Sequence, residues 1–207
     1  MKRAKAWIII FTAVLLFSSI AGCSNTISTT TTPTVVFSTY TDNTNLYSIS
    51  YPQTWELANS MVTLQNQITA TISKINAGTP LTTGSVIFVA GLKADVGYYP
   101  NINISVDPAP TDLTNNDQAV QAEANGIKSL HPDYQEIART KIIVNGKTVW
   151  LLELKATFTN TPLMHDYMVV FLLNGNIWTL TCTATDTDFS QFKGEFTVII
   201  KSLKINK

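Results

Sequence analysis

The sequence predicts an α+β fold built on an antiparallel sheet, and three observations carry that prediction. Asn145-Gly146 and Asn174-Gly175 each separate two runs rich in β-branched and aromatic residues. Asn-Gly is the signature of a two-residue type I′ hairpin, because both central positions need positive φ. Two stretches then change period from two to nearly four. Val120, Ala124, Ile127 and Leu130 mark one helical face, and Phe189, Phe192, Phe196, Ile199 and Leu203 mark another.

Taken in order, Tyr47, Ile49 and Tyr51 alternate with Ser48 and Ser50 in a half-buried strand that Pro52 stops before Trp55. Gln65–Ala77 spaces Ile68, Ile72 and Ile75 as a helix, with Gly78 as its C-terminal cap. Residues 85–92 and 101–106 read as strands joined through Tyr98-Tyr99-Pro100. Thr114 is placed to cap the next helix, which Pro132 ends. Four strands follow at about 135–144, 147–158, 163–173 and 176–184. A last helix spans about 187–204, opened by Asp186 and Asp188 and closed by Lys201 and Lys204 in accord with the helix dipole.

The turn at 174–175 sets the register of its hairpin. Phe171 then faces Trp178, Val169 faces Leu180, Tyr167 faces Cys182 and His165 faces Ala184, an apolar surface apart from the histidine. The opposite surface joins Leu172, Val170, Met168 and Asp166 to Ile177, Thr179, Thr181 and Thr183. Being Thr-rich on one strand, it is expected to be partly covered or solvated.

Composition limits what the chain can do. Its 207 residues are 45% hydrophobic, enough for one core, and only 14% charged. Fourteen basic and fourteen acidic residues balance, which argues against nucleic acid as a partner. Two cysteines and two histidines leave little for a metal site or a disulfide scaffold, and no metal or cofactor is expected.

The N-terminus reads as an address. Lys2, Arg3 and Lys5 precede an apolar run over Trp7–Phe17, then small residues lead to Cys23. The run is shorter than the ~18–20 residues of a spanning helix, which weighs against an uncleaved anchor with an incidental cysteine. Ile20-Ala21-Gly22-Cys23 resembles a bacterial lipobox, in which the cysteine sulfur takes a diacylglyceryl group and becomes the first residue. Residues 1–22 would be the signal, 23–45 a Thr/Ser/Asn-rich tether, and 46–207 the domain. Val35, Val36 and Phe37 interrupt the tether and offer a first strand that could dock on the domain. Loss of the three N-terminal basic residues leaves 11 basic against 14 acidic groups, a formal −3. Cys23 would be spent on lipid, leaving Cys182 the one thiol.

Leu46 to Trp55 carry an aromatic-x-Ile-x-Tyr-Pro-x-x-Trp opening, formed by Tyr47, Ile49, Tyr51, Pro52 and Trp55. With the mid-chain helix, the Asn-Gly hairpin, Tyr167-x-x-x-Phe171 and the closing helix from Phe189-Ser190-Gln191-Phe192 to Lys201-Ser202-Leu203, it resembles the PsbP-like domains over about 46–207. Residues 60–100 depart from the family pattern in being longer. The resemblance implies an α/β/α sandwich around an antiparallel sheet. It implies no catalytic residues. It also implies a binding or assembly role, as in a photosystem subunit, a Ran-binding protein and many bacterial lipoproteins.

The chemical candidates each have a plainer explanation. His165 and Cys182 are diagonal neighbours, the arrangement of a thiol nucleophile and its base, or of a buried thiol beside a core histidine. His165-Asp166 is no dyad in a strand, since neighbours point to opposite faces. His131-Pro132-Asp133 copies a co-chaperone tripeptide, but that motif needs a helix after it and Tyr134 begins a strand, so it reads as a helix stop. Asp186-Thr187-Asp188, a pattern of metal or nucleotide-sugar sites, is explained as well and more often by a helix start with first-turn acids. Tyr98 and Tyr99 are the candidate binding edge. The function expected is a non-catalytic binding or assembly module, lipid-anchored through Cys23 on the outer face of the cell membrane or in the outer membrane, monomeric, with an unknown protein or small-molecule partner. The alternatives are a lipid or small-molecule carrier and a thiol-dependent hydrolase using Cys182 and His165.

Overall fold

The computed structural model of the chain describes residues 34–45, 47–57, 85–92, 100–158 and 161–205. The folded unit runs from Thr34 to Lys207. Its elements are β1 (Phe37–Asp42), β2 (Tyr47–Pro52), β3 (Trp55–Leu57), β4 (Ser85–Leu92), β5 (Asn101–Pro108), α1 (Asn116–Leu130), β6 (Gln135–Val144), β7 (Lys147–Thr157), β8 (Leu163–Leu173), β9 (Asn176–Thr185), α2 (Phe189–Ser202) and β10 (Lys204–Ile205).

Seven strands form an antiparallel sheet in the order β3-β4-β5-β9-β8-β7-β6. Both Asn-Gly turns adopt the required conformation, with φ of 50° and 74° at Asn145 and Gly146 and 52° and 72° at Asn174 and Gly175. The β8–β9 register is the one those turns predict, pairing Tyr167 with Cys182 and Phe171 with Trp178. A separate sheet, β1-β2-β10, adds strands at both ends of the unit.

Helix α2 and the small sheet cover one face of the large sheet. Tyr47, Ile49, Trp55, Phe88, Ile102, Ile104, Val169, Phe171, Leu180, Phe189, Phe196 and Ile199 are buried together there. Trp55 is a core anchor, its ring edge-on to Phe192 and Phe196 at 6.5 and 6.3 Å. Helix α1 covers the other face, packing Ala119, Val120, Ala124 and Ile127 on Leu152, Leu154, Met168, Val170 and Ile177. The result is the α/β/α sandwich.

Several expectations need correction. Asn115, not Thr114, caps α1. Its backbone is extended (φ −152°, ψ 166°) and its side chain accepts from the Gln118 N–H at 2.9 Å. Thr114 instead donates to the Gln118 side chain. Helix α2 stops at Ser202 rather than 204, because Lys204 and Ile205 leave the helix to pair with Ser48 and Tyr47. Strand β5 runs two residues further, to Pro108, in register with β9. Of the two expectations for the Thr-rich face, covered rather than solvated holds, for Thr179, Thr183 and Asp166 are buried and Thr181 is half-buried. Strand β1 occupies 37–42, inside the stretch read as tether, and pairs with all of β2. The expected helix at 65–77 lies outside the described residues, as do Cys23 with the whole 1–22 signal and the Tyr98-Tyr99 edge.

Candidate functional site

His165 and Cys182 lie on the α2 face, as the register requires, but they do not form a nucleophile and base. The His165 ring is stacked on Phe189, with centroids 3.6 Å apart and planes 5° from parallel. Its Nε2 lies 2.9 Å from Glu153 Oε1 and its Nδ1 3.2 Å from Asp186 Oδ1. Both nitrogens are therefore committed to carboxylates, and neither is available to take a thiol proton. Lys155 completes the cluster at 2.7 Å from Asp186, and its hydrogen bond holds that carboxyl below the usual range. Cys182 has no exposed surface, and burial, aided by the Asp166 carboxyl, pushes its thiol well up. A thiol in that setting is an inert core group.

The remaining motifs resolve into structure. His131 ends α1, its Nδ1 3.0 Å from the Thr157 carbonyl and its ring edge-on to Phe158. Asp133 accepts from the Thr157 N–H. Asp186 serves the His165 cluster rather than the helix start, and Asp188 accepts from the Thr185 hydroxyl at 2.7 Å.

A feature that the sequence reading missed lies on the α1 side of the sheet. Strand β5 sends Asn101, Asn103, Ser105 and Asp107 to this face, and β9 sends Thr183, Thr181, Thr179 and Ile177 directly opposite them. Beyond Thr183, β8 adds Asp166. The acids lie at the two ends of the strip, and Glu123 on α1 raises the count at the Asp107 end, where the Asp107 charge adds to burial in opposing Glu123 ionisation.

Exposure varies along the strip without a single gradient, for Thr181 is half-buried while Thr179 and Ile177 are buried. Asp107, Ser105 and Glu123 are half-buried, whereas Asn101, Thr183 and Asp166 are buried. Asp166 is 2% exposed and Thr179 3%, and Asp166 Oδ1 and Thr179 Oγ1 have no hydrogen-bond partner. Burial lifts the Asp166 carboxyl to about 7. Burial, then the Asp107 charge, lifts Glu123 to about 7 as well. The signal was present in Asn101-Ile102-Asn103-Ile104-Ser105-Val106-Asp107, a strict alternation whose polar half faces inward. Among the described residues no group of three or more His, Cys, Asp or Glu side chains is arranged to hold a metal ion.

An α/β/α sandwich around an antiparallel sheet is the fold of the PsbP-like domains. The chain belongs to the PsbP family, whose pattern it matches over residues 36–205. It is similar in fold to the cyanobacterial PsbP (CyanoP) of Synechocystis sp. PCC 6803, at 14% identity and a TM-score of 0.53, over 90% of this chain and 99% of that one. It is similar also to PA94 of Pseudomonas aeruginosa, a protein of unknown function described as a putative regulator, at 13% identity and a TM-score of 0.54, over 83% and 98%. A third likeness is to the Ran-binding protein Mog1p of Saccharomyces cerevisiae, at 7% identity and a TM-score of 0.51, over 83% and 96%. No curated protein matches the sequence significantly.

Proposed function

We propose that this protein is a lipid-anchored, extracytoplasmic binding or assembly module without catalysis of its own. The observation that carries the reading is the pairing of Ile20-Ala21-Gly22-Cys23 with a PsbP-family domain over 36–205. Lipidation at Cys23 supplies two or more acyl chains, enough for stable attachment where one chain binds marginally. Residues 24–33 then act as the spacer, reaching at most about 35 Å when extended. The mature chain's formal −3 gives it no attraction to an anionic lipid surface. Among the described residues no helix is long and apolar enough to cross a membrane.

A binding role is supported by the fold shared with a Ran-binding protein. A non-catalytic one is supported by the commitment of His165 to Glu153 and Asp186 and by the burial of Cys182. The test is sedimentation with neutral liposomes. The lipidated protein should pellet, while a chain beginning at residue 24 should stay in the supernatant, and full-length Cys23→Ser should lose lipidation and keep its signal uncleaved. Pelleting of the residue-24 chain would make the domain itself a lipid binder and overturn the anchor reading.

A further inference from the structure

We propose that helix α1 is a pH-sensitive lid on the sheet: residues 119–130 lift as a unit while the α2 side stays packed, and they lift more readily as the acids at their interface ionise. This goes beyond the anchored-module reading and does not depend on it.

The two faces of the sheet are held unequally. Helix α2 buries Phe189, Phe196, Ile199 and Ile200, and Tyr47, Trp55, Phe171 and Trp178 join the same core. Helix α1 buries Ala119, Val120, Ala124 and Ile127, and no fully buried aromatic ring among the described residues joins them. Apolar burial is what holds a helix to a sheet, so α1 is the weaker layer and the first to open.

Polar satisfaction points the same way. Three buried side-chain polar atoms among the described residues have no hydrogen-bond partner: His131 Nε2, Asp166 Oδ1 and Thr179 Oγ1. All three belong to the α1 side. His131 ends the helix, Asp166 pairs with Leu154, and Thr179 pairs with Val170, both residues of the core under α1. Each atom gains water on opening, which offsets part of the apolar loss.

Direct hydrogen bonds fasten chiefly the first turn. Asn116 accepts from the Leu172 N–H at 2.7 Å and donates to the Thr148 carbonyl at 3.0 Å, and Asp117 accepts from the Trp150 indole at 2.7 Å. Beyond that turn, Gln121 accepts from Arg139, and His131 Nδ1 lies 3.0 Å from the Thr157 carbonyl. The first turn is therefore the hinge.

The acids supply the pH response. Glu123 on α1 feels the Asp107 charge on β5, and Asp166 is buried with one oxygen bare. No described cation offsets them. Arg139 is taken by Glu136 and Gln121, Lys141 by Asp117, and Lys128 acts on Glu136, which also accepts from Tyr134. Strands β7 and β9 meet Asp166 with Leu154 and Thr183, which do not titrate, and the Cys182 thiol lies on the other face of the sheet. The Glu123 and Asp166 carboxyls titrate near 7 in the closed fold and return to the ordinary carboxylate range once water reaches them. The open state then holds fewer protons, so opening gains as pH rises from about 4 to about 7 and levels above that.

Hydrogen–deuterium exchange of the full-length protein in detergent, corrected for the intrinsic pH dependence of amide exchange, provides the test. At pH 8 the amides of residues 119–130 should be at least about tenfold less protected than those of α2 and β8. Their protection should fall at least about tenfold between pH 5 and pH 8, the change expected from one displaced proton over one pH unit. Glu123→Gln and Asp166→Asn should each restore protection of 119–130 severalfold at pH 8, with circular dichroism establishing that each variant is folded. Exchange of 119–130 in step with α2 and β8 at both pH values would mean that α1 opens only on global unfolding, and the lid would be wrong. Equal protection at pH 5 and pH 8 overturns the pH response, as does an undiminished response in the folded Glu123→Gln variant together with folded Asp166→Asn.

Discussion

Asp166 and His165 are adjacent in sequence and stand in opposite environments. His165 faces α2 between two carboxylates, while Asp166 faces α1 with one oxygen unpartnered. The Asp166 carboxyl titrates near 3.8 in an unfolded chain and near 7 here. Between those values the native state holds a proton that the unfolded state has released. Stability therefore falls as pH rises from about 4 to about 7, then levels. Glu123 acts in the same direction. Asp166→Asn should reduce this loss, gaining roughly 1–3 kcal/mol relative to wild type between pH 5 and pH 8. Urea unfolding at both pH values measures it, and parallel pH profiles for the two proteins would count against a buried, proton-holding Asp166. The alternation of side chains along a strand is enough to place these two residues on opposite faces. It does not set how deeply Asp166 is buried, because that depends on α1, which packs over the strand from a distant part of the chain.

At the scale of elements, local chemistry explains where α1 begins. Asn115 and Thr114 are both good capping residues, and the sequence pattern pointed to Thr114. The extended backbone at Asn115 decides between them by aiming its oxygen at the Gln118 N–H. Asn115→Ala should cost about 1 kcal/mol, and Thr114→Ala only a few tenths. Chemical denaturation of the two variants distinguishes them, and the reverse ranking would move the cap back to Thr114. The hairpins needed no such arbitration, because Asn-Gly at positive φ leaves one turn geometry and hence one register. Helix α2 shows the limit of periodicity. Its apolar face runs through Leu203, yet the chain leaves the helix there because β2 offers β10 a backbone partner.

For the whole molecule, the structure moves the start of the fold upstream of residue 46. Strand β1 pairs with β2 from Phe37 to Asp42, and Gln53 donates to the Val36 carbonyl at 2.9 Å. Tyr40 adds its ring against Phe88 at 5.0 Å and Tyr47 at 6.0 Å. A chain beginning at residue 46 should therefore melt at a clearly lower temperature than one beginning at 34. Equal melting would restore residue 46 as the boundary and make β1 an ornament on the tether.

Sequence by itself determined the α+β class, the four-strand meander, the register of the β8–β9 hairpin and the apolar inward face of β8 and β9. These depend on turn chemistry and on side-chain period, both of which are local. The family opening from Tyr47 to Trp55 was legible for the same reason. Only the tertiary structure decided that β1 and β10 flank β2, because strand pairing between distant segments has no local signature. It alone buried Asn101, Asn103, Thr179 and Thr183 on the polar halves of β5 and β9, since alternation names two faces but does not say how far the polar one is covered. And it alone turned His165 away from catalysis, by bringing Glu153 of β7, Asp186 of the β9–α2 turn and Phe189 of α2 around one ring.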